Sequence, residues 1–230
     1  EFTDDMPGQR LGAAFPEWIT SRQERIFVQT DWEGHGTSAT GTWSNADYDL
    51  LMTLDCSRTS TSVTLAWELF FTNNSDRTLQ DVTAFNDFGL GAAPNWSDEA
   101  MTRTWMFDEA GRRVLLRDIA LKETDLDIPL RWYPAAGGID LSLSPGISDF
   151  NAVASTVLSG DRAEVYSADG RMIMENISDN PVAYFFNNWD NRCIHTSPLI
   201  ADKLAPGETG AATGRIVWRD REQQDRWVLD

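Results

Sequence analysis

The sequence predicts an all-β protein. It reads as a single antiparallel β-sandwich, of the supersandwich or jelly-roll kind, with few short helices. Three observations predict this. Val63, Leu65, Trp67, Leu69 and Phe71 alternate with Thr64, Ala66, Glu68 and Phe70, and a period of two means one buried sheet face. Turn-forming clusters recur along the chain, at Asn73–Asp76, Asp108–Arg112, Ser167–Gly170, Asn176–Pro181 and Ala205–Gly207; such punctuation suits many short strands. The chain has 230 residues, 41% hydrophobic and including 10 Trp, which is enough for a large core and too aromatic for disorder.

Taken in order, residues 1–25 read as an extended N-terminal arm, with a turn of helix near Glu17–Arg25. Glu1-Phe2 reads as a trimmed start, which makes a mature form the expectation. Ile26 to Trp32 is a strand bounded by Gly34-His-Gly36, residues Gly36–Ser44 form a loop or small hairpin, and Tyr48–Leu54 is the next strand. Ser62–Leu90 predicts a long hairpin at the centre of one sheet, turning at Asn73–Asp76, where Asn and Asp tolerate left-handed backbone. Thr102–Phe107 and Val114–Arg117 flank another turn, and Ile119–Leu126 is either a short helix or a bridge. Arg131–Pro134 and Ile139–Leu143 read as strands, followed by a loop with an apolar element around Phe150–Leu158. Ala163–Tyr166 and Met172–Glu175 make a hairpin on an Asp-Gly turn. Val182–Phe186, Pro198–Leu204 and Gly214–Arg219 complete the strands, and Asp220–Asp230 is a tail or short helix. The absence of repeats and low-complexity linkers predicts one domain over residues 1–230.

A net charge of −17 argues against nucleic acid, whose phosphates need clustered Lys and Arg. The sequence holds no apolar run long enough to span a bilayer, so membrane insertion is not expected. Asn-X-Ser triplets at Asn73, Asn95 and Asn176 hint at glycosylation. Cys56 and Cys193 allow one disulfide or two free thiols.

Tyr184–Pro198 is the densest concentration of functional groups. An apolar strand breaks into Asn187, Asn188, Trp189, Asp190, Asn191 and Arg192, then Cys193 and His195 follow. Amide, carboxylate, guanidinium, indole and imidazole groups thus meet at one strand end.

Two local patterns resemble the galactose-mutarotase-like β-sandwiches. One is Val63–Gly91, whose second strand ends Thr83-Ala-Phe-Asn-Asp-Phe-Gly-Leu90; the other is Leu204-Ala-Pro-Gly-Glu208 before a late strand. The resemblance implies a large sandwich and a sugar context. Where that family carries its catalytic His, this chain has Asn86 and Asp87.

On that basis the expected ligand is a polysaccharide or oligosaccharide, and the expected location is secreted or periplasmic. His195, Arg192, Tyr184 and Asn188 supply the groups that β-elimination on a uronic acid needs: a base, a carboxylate neutraliser and a proton donor. Hydrolysis would use two carboxylates, with Glu68, Asp87, Asp98, Glu99 and Asp190 as candidates. Trp189, Trp96 and Trp132 fall on predicted loops or strand ends, where indoles stack on sugar rings, and Asn187 would bond hydroxyls. Paired metal-ligand spacing is absent, so no metal ligands are assigned; His35 or His195 with Cys56 or Cys193 is the weak transition-metal alternative. No cofactor is expected, although calcium is possible in Asn187–Asn191 or Asn73–Asp76. A non-catalytic carbohydrate-binding domain is the alternative reading, and a cell-envelope structural component the third.

Overall fold

The computed structural model describes residues 8–122, 130–137, 139, 153–160, 162–188 and 192–221. Trp189, Asp190 and Asn191 lie outside them, as do residues 140–143, 123–126 and 222–230 of the sequence expectations.

The described residues form fifteen strands and one 3₁₀ turn, Leu116–Asp118. The strands are β1 Gly12–Thr20, β2 Arg25–Phe27, β3 Asp31–His35, β4 Ser38–Ser44, β5 Tyr48–Arg58, β6 Ser62–Asn73, β7 Leu79–Gly89 and β8 Thr104–Phe107. They continue as β9 Arg113–Leu115, β10 Leu130–Pro134, β11 Arg162–Tyr166, β12 Met172–Ser178, β13 Val182–Asn188, β14 Cys193–Leu204 and β15 Thr209–Asp220. Two antiparallel sheets result. The smaller has the order β10-β13-β14-β7-β1-β2, and the larger β3-β4-β5-β6-β15-β12-β11-β8-β9. Among the described residues no helix is long and apolar enough to cross a membrane.

The core lies between the sheets. Phe15, Ile19, Val82, Phe185 and Ile194 come from the smaller sheet, and Leu50, Met52, Trp67, Leu69, Met174 and Ile216 from the larger. The alternation over β6 is as the sequence requires: Leu65, Trp67, Leu69 and Phe71 are buried, while Ala66, Glu68 and Phe70 are exposed.

The long central hairpin does not form. β6 pairs with β5 and β15, whereas β7 pairs with β1 and β14 in the other sheet. The connection after Asn73 is a step across the sandwich, which must span the roughly 10 Å between packed sheets. Asn73 pins this step. Its Nδ2 donates to the carbonyls of Arg77 (2.7 Å) and Leu204 (3.0 Å), and its Oδ1 accepts from the Ser75 hydroxyl at 2.7 Å. The Asn73 and Asn176 amides of the glycosylation triplets are both buried.

The N-terminal segment also differs from the expected arm with a helical turn. Gly12–Thr20 is a strand, and it lies between β7 and β2. Phe15 and Ile19, four residues apart, both face the core as strand alternation requires, and the register shift between Ala14 and Trp18 marks a bulge in the residues between. Ile26–Trp32 is likewise split between sheets as β2 and β3. Residues 193–204 form one continuous strand rather than a turn followed by a strand. Cys56 and Cys193 sit in different sheets, and both are free thiols.

Candidate functional site

Antiparallel pleating places Phe85 and Asp87 of β7, and Cys193, His195 and Ser197 of β14, on the face of the smaller sheet turned away from the core. Their neighbours Ala84, Phe88 and Ile194 fill the core instead. His195 lies opposite Asp87 on one side and Phe186 on the other, and Trp132 lies opposite Phe186. One row across the sheet therefore reads Trp132, Phe186, His195, Asp87. The adjacent row brings Tyr184 opposite Ser197, Phe85 opposite Trp18, and Trp18 opposite Phe27.

These aromatics make a second apolar cluster, of Phe85, Trp132, Ala183, Tyr184 and Phe186 with Trp18, Ile139 and Val153 against it. Phe85 is its centre. It stacks on Trp18 with centroids 3.8 Å apart and on the His195 ring at 4.3 Å. The imidazole also meets Phe186 at 4.7 Å, and His195 is only 3% exposed. Rings on both sides hold it in one orientation.

That orientation aims Nε2 at two carboxylates from different strands. Asp87 Oδ1 is at 3.2 Å and Glu17 Oε2 at 3.7 Å. Glu17 arrives through the β1 bulge. Its side chain is 43% exposed and that of Asp87 27%, so the buried imidazole communicates with solvent through its carboxylate partners. Burial pushes the Glu17 carboxyl above its usual range; His195 pulls it down, Asp87 pushes it up and Arg25 pulls it down. Beside Glu17, Trp18 and Phe27 meet edge to face at 6.1 Å, and Phe27 is 68% exposed. The Arg25 guanidinium lies 4.9 Å from the Trp18 ring centroid.

The other imidazole nitrogen faces Cys193, with Nδ1 and Sγ 3.9 Å apart. Asp87, Cys193 and His195 each offer a potential metal-ligand atom, all within 4.8 Å of one another. A cation takes one ring nitrogen. Here the ring turns Nε2 to the carboxylates and Nδ1 to the sulfur, a division suited to proton exchange. Burial, and then the Asp87 charge, push the Cys193 thiol far up, so it is a protonated neighbour and not a thiolate.

The remaining sequence candidates are dispersed. Tyr184 shares the outer face, and its hydroxyl is buried without a hydrogen-bond partner among the described residues. Asn188 lies opposite Cys193, and its carbonyl is 3.9 Å from that sulfur. Asn187 is buried and donates to the Cys193 carbonyl at 3.3 Å. Arg192 adopts a left-handed backbone with φ 55°, and its guanidinium pairs with Glu99 at 3.1 Å, on the loop after β7. Trp132 is buried in the aromatic cluster. Trp96, expected on an exposed loop, is fully buried in the main core, because the 90–103 loop folds inward through turn bonds from Ala93 to Leu90 and from Trp96 to Ala93. Trp189 lies outside the described residues.

Asp87 was legible as a candidate carboxylate; Glu17, Trp18 and Phe27 were not legible as site residues. The usable signal was Phe15-Pro-Glu-Trp-Ile19, in which two apolar anchors flank a polar-aromatic pair, but strand periodicity is broken there by the bulge.

No protein-family model matches the sequence, and no curated protein matches it. Among solved structures, a galactose mutarotase-like protein from Clostridium acetobutylicum is 9% identical, with 91% of this chain and 79% of that chain covered and a TM-score of 0.39. A polysaccharide lyase is 11% identical over 90% of this chain and 25% of its own, with a TM-score of 0.40. The GH36 α-galactosidase AgaB from Geobacillus stearothermophilus is 9% identical over 96% of this chain and 30% of its own, with a TM-score of 0.41. The chain thus spans under a third of the two larger enzymes. These are weak resemblances to proteins with sugar-related names, and they assign no chemistry to this chain.

Proposed function

We propose that this chain is a carbohydrate-active enzyme that cleaves a polysaccharide by acid–base hydrolysis on the outer face of the smaller sheet. The observation that carries this reading is His195 Nε2 held between the Glu17 and Asp87 carboxylates, beside the partly exposed pair Trp18 and Phe27. Amphipathic rings next to proton-transfer groups suit a saccharide, whose apolar ring faces stack and whose oxygens accept or donate protons.

In this reading Glu17 is the acid. Its raised affinity for a proton lets it donate to the glycosidic oxygen as the bond to the anomeric carbon breaks. Water adds to that carbon, and Asp87, oriented by His195, takes the water's proton. Trp18 and Phe27 bind the sugar ring. Hydrolysis of a neutral saccharide is favoured over β-elimination here, because the Asp87 carboxylate would repel a uronate and Arg192 pairs with Glu99 instead of standing free to neutralise one.

The test is a panel of neutral and uronic polysaccharides, with and without calcium, read by reducing ends and by ultraviolet absorbance of unsaturated products. Reducing ends without that absorbance, lost in Glu17→Gln and Asp87→Asn, are expected. Unsaturated products would replace hydrolysis by elimination. Saccharide binding without turnover would favour a non-catalytic binding domain, a reading to which the burial of His195 lends weight.

A further inference from the structure

Arg131 of β10 is a cation on the core side of its strand. Its neighbour Trp132 packs in the outer aromatic cluster, whereas Tyr133 packs in the main core. Alternation along the strand therefore turns Arg131 inward with Tyr133, between the sheets. Arg131 is 8% exposed, and no other arginine among the described residues is so deeply buried.

A buried charge is tolerated when a partner compensates it. The half-buried arginines follow this rule: Arg103 meets Asp98, and Arg219 meets Glu175. Arg131 does not follow it. Among the described residues it has no ion pair, and its Nε is buried without an acceptor.

Its surroundings narrow what can compensate it. Asn187 is the register partner of Arg131 on β13 and faces inward beside Ile194. The Asn187 Oδ1 is the nearest acceptor by register, yet it too is buried without a partner. The guanidinium is thus turned away from the amide. It stands by Tyr133 instead: burial pushes that phenol far up, and the Arg131 charge beside it pulls it part of the way back. The Tyr133 hydroxyl is fully buried and has no acceptor for its proton among the described residues. A guanidinium N–H and a phenol O–H therefore share one place in the interior, with a positive charge and nothing to receive them.

We infer that Arg131 and Tyr133 hold a small monovalent anion, such as chloride or formate, between the two sheets. Buried donors are normally satisfied by protein or by a bound species. A water would satisfy the donors and leave the charge uncompensated. One guanidinium balances one negative charge, and its planar edge together with the phenol surrounds such an ion with donors. The depth of the site excludes a polymer or a nucleotide. The inference does not depend on hydrolysis at Glu17 and Asp87.

The experiment is a set of denaturant melts of the intact protein in sodium chloride, sodium formate and sodium gluconate, all at one ionic strength. Chloride, formate or both should stabilise the protein relative to gluconate, whose anion is too large for the site. Above its dissociation constant, each tenfold rise in the binding anion should raise the folding equilibrium constant about tenfold. Which salt acts identifies a halide or a carboxylate site. Arg131→Met should abolish the response and still melt cooperatively, because an apolar side chain of similar length replaces a buried charge. Tyr133→Phe keeps the ring and removes one donor, so it should weaken the anion's apparent affinity by about threefold to tenfold. Glu17→Gln should respond as the parent does. Equal stability in all three salts would overturn the inference. So would a response that persists in Arg131→Met or, should that variant not fold, one left unchanged in Tyr133→Phe.

Discussion

His195 and Asp87 are register partners on β14 and β7, and the imidazole Nε2 lies 3.2 Å from Oδ1. The contact is built from strand pairing, so replacing Asp87 by Asn should leave the sheet intact while removing the base. Turnover on the responsive polysaccharide should fall by about a hundredfold or more, the scale of a lost acid–base group. The Asp87 charge also helps to raise Glu17. The alkaline limb of the pH–rate profile, where Glu17 loses its proton, should therefore move to lower pH in whatever activity remains. An unchanged rate in D87N would make the pair structural.

Glu17 gives a stability prediction with a definite sign. Its folded pKa is raised above the ordinary 4.5, chiefly by burial. The folded state thus holds the proton more tightly than the unfolded chain. The resulting stability is complete below the unfolded value and is lost as pH rises through the folded one. Glu17→Gln should flatten this part of the stability–pH curve, measured by denaturant melts from acid to neutral pH. The rate should fall over the same window, because the acid must be protonated to donate.

Phe85 is the keystone of the outer aromatic cluster, fully buried between Trp18 at 3.8 Å and the His195 ring at 4.3 Å. Phe85→Ala should cost about 3–5 kcal/mol, the range for a large-to-alanine cavity. Phe85→Leu should cost less, yet it removes the stack that orients the imidazole. Chemical denaturation should rank them in that order, while both lose activity.

Gly214 is where β15 passes under Trp67. A Cβ there would lie 2.4 Å from the Ile177 carbonyl oxygen and 2.4 Å from Trp67 Cζ2. Neither atom can withdraw easily, one being backbone and the other a buried indole. Gly214→Ala should destabilise the protein by about 1–3 kcal/mol, the cost of overpacking. A melting temperature equal to the parent's would show that the sheets separate more readily than this packing implies.

Much of the local structure was legible because it depends on short-range chemistry. The two-residue period over Val63–Phe71 assigned the buried face of β6, and Asp169-Gly170 marked the β11–β12 turn, where Gly170 takes φ 69°. His195 of the focal stretch has Cys193, two residues away, at one ring nitrogen, but its carboxylate neighbours, Glu17 and Asp87, come from other strands. Arg192 turns to Glu99, Asn187 bonds the Cys193 carbonyl, and Trp96 disappears into the core.

The sequence by itself determined an all-β chain, its turn positions and a strongly acidic net charge, because periodicity, turn chemistry and charge act over a few residues, whereas it left Cys56 and Cys193 open between a disulfide and two thiols. The tertiary structure decided which sheet each strand joins. Asn73 sends β7 away from β6 into the opposite sheet, since its amide is satisfied by the Arg77 and Leu204 carbonyls. It also decided which groups share a site. Glu17, Asp87 and His195 are brought together only when β1 and β14 flank β7. A sheet face is assembled sideways, across strands, by hydrogen bonds between segments far apart in the chain, and no pattern along one strand encodes its neighbours.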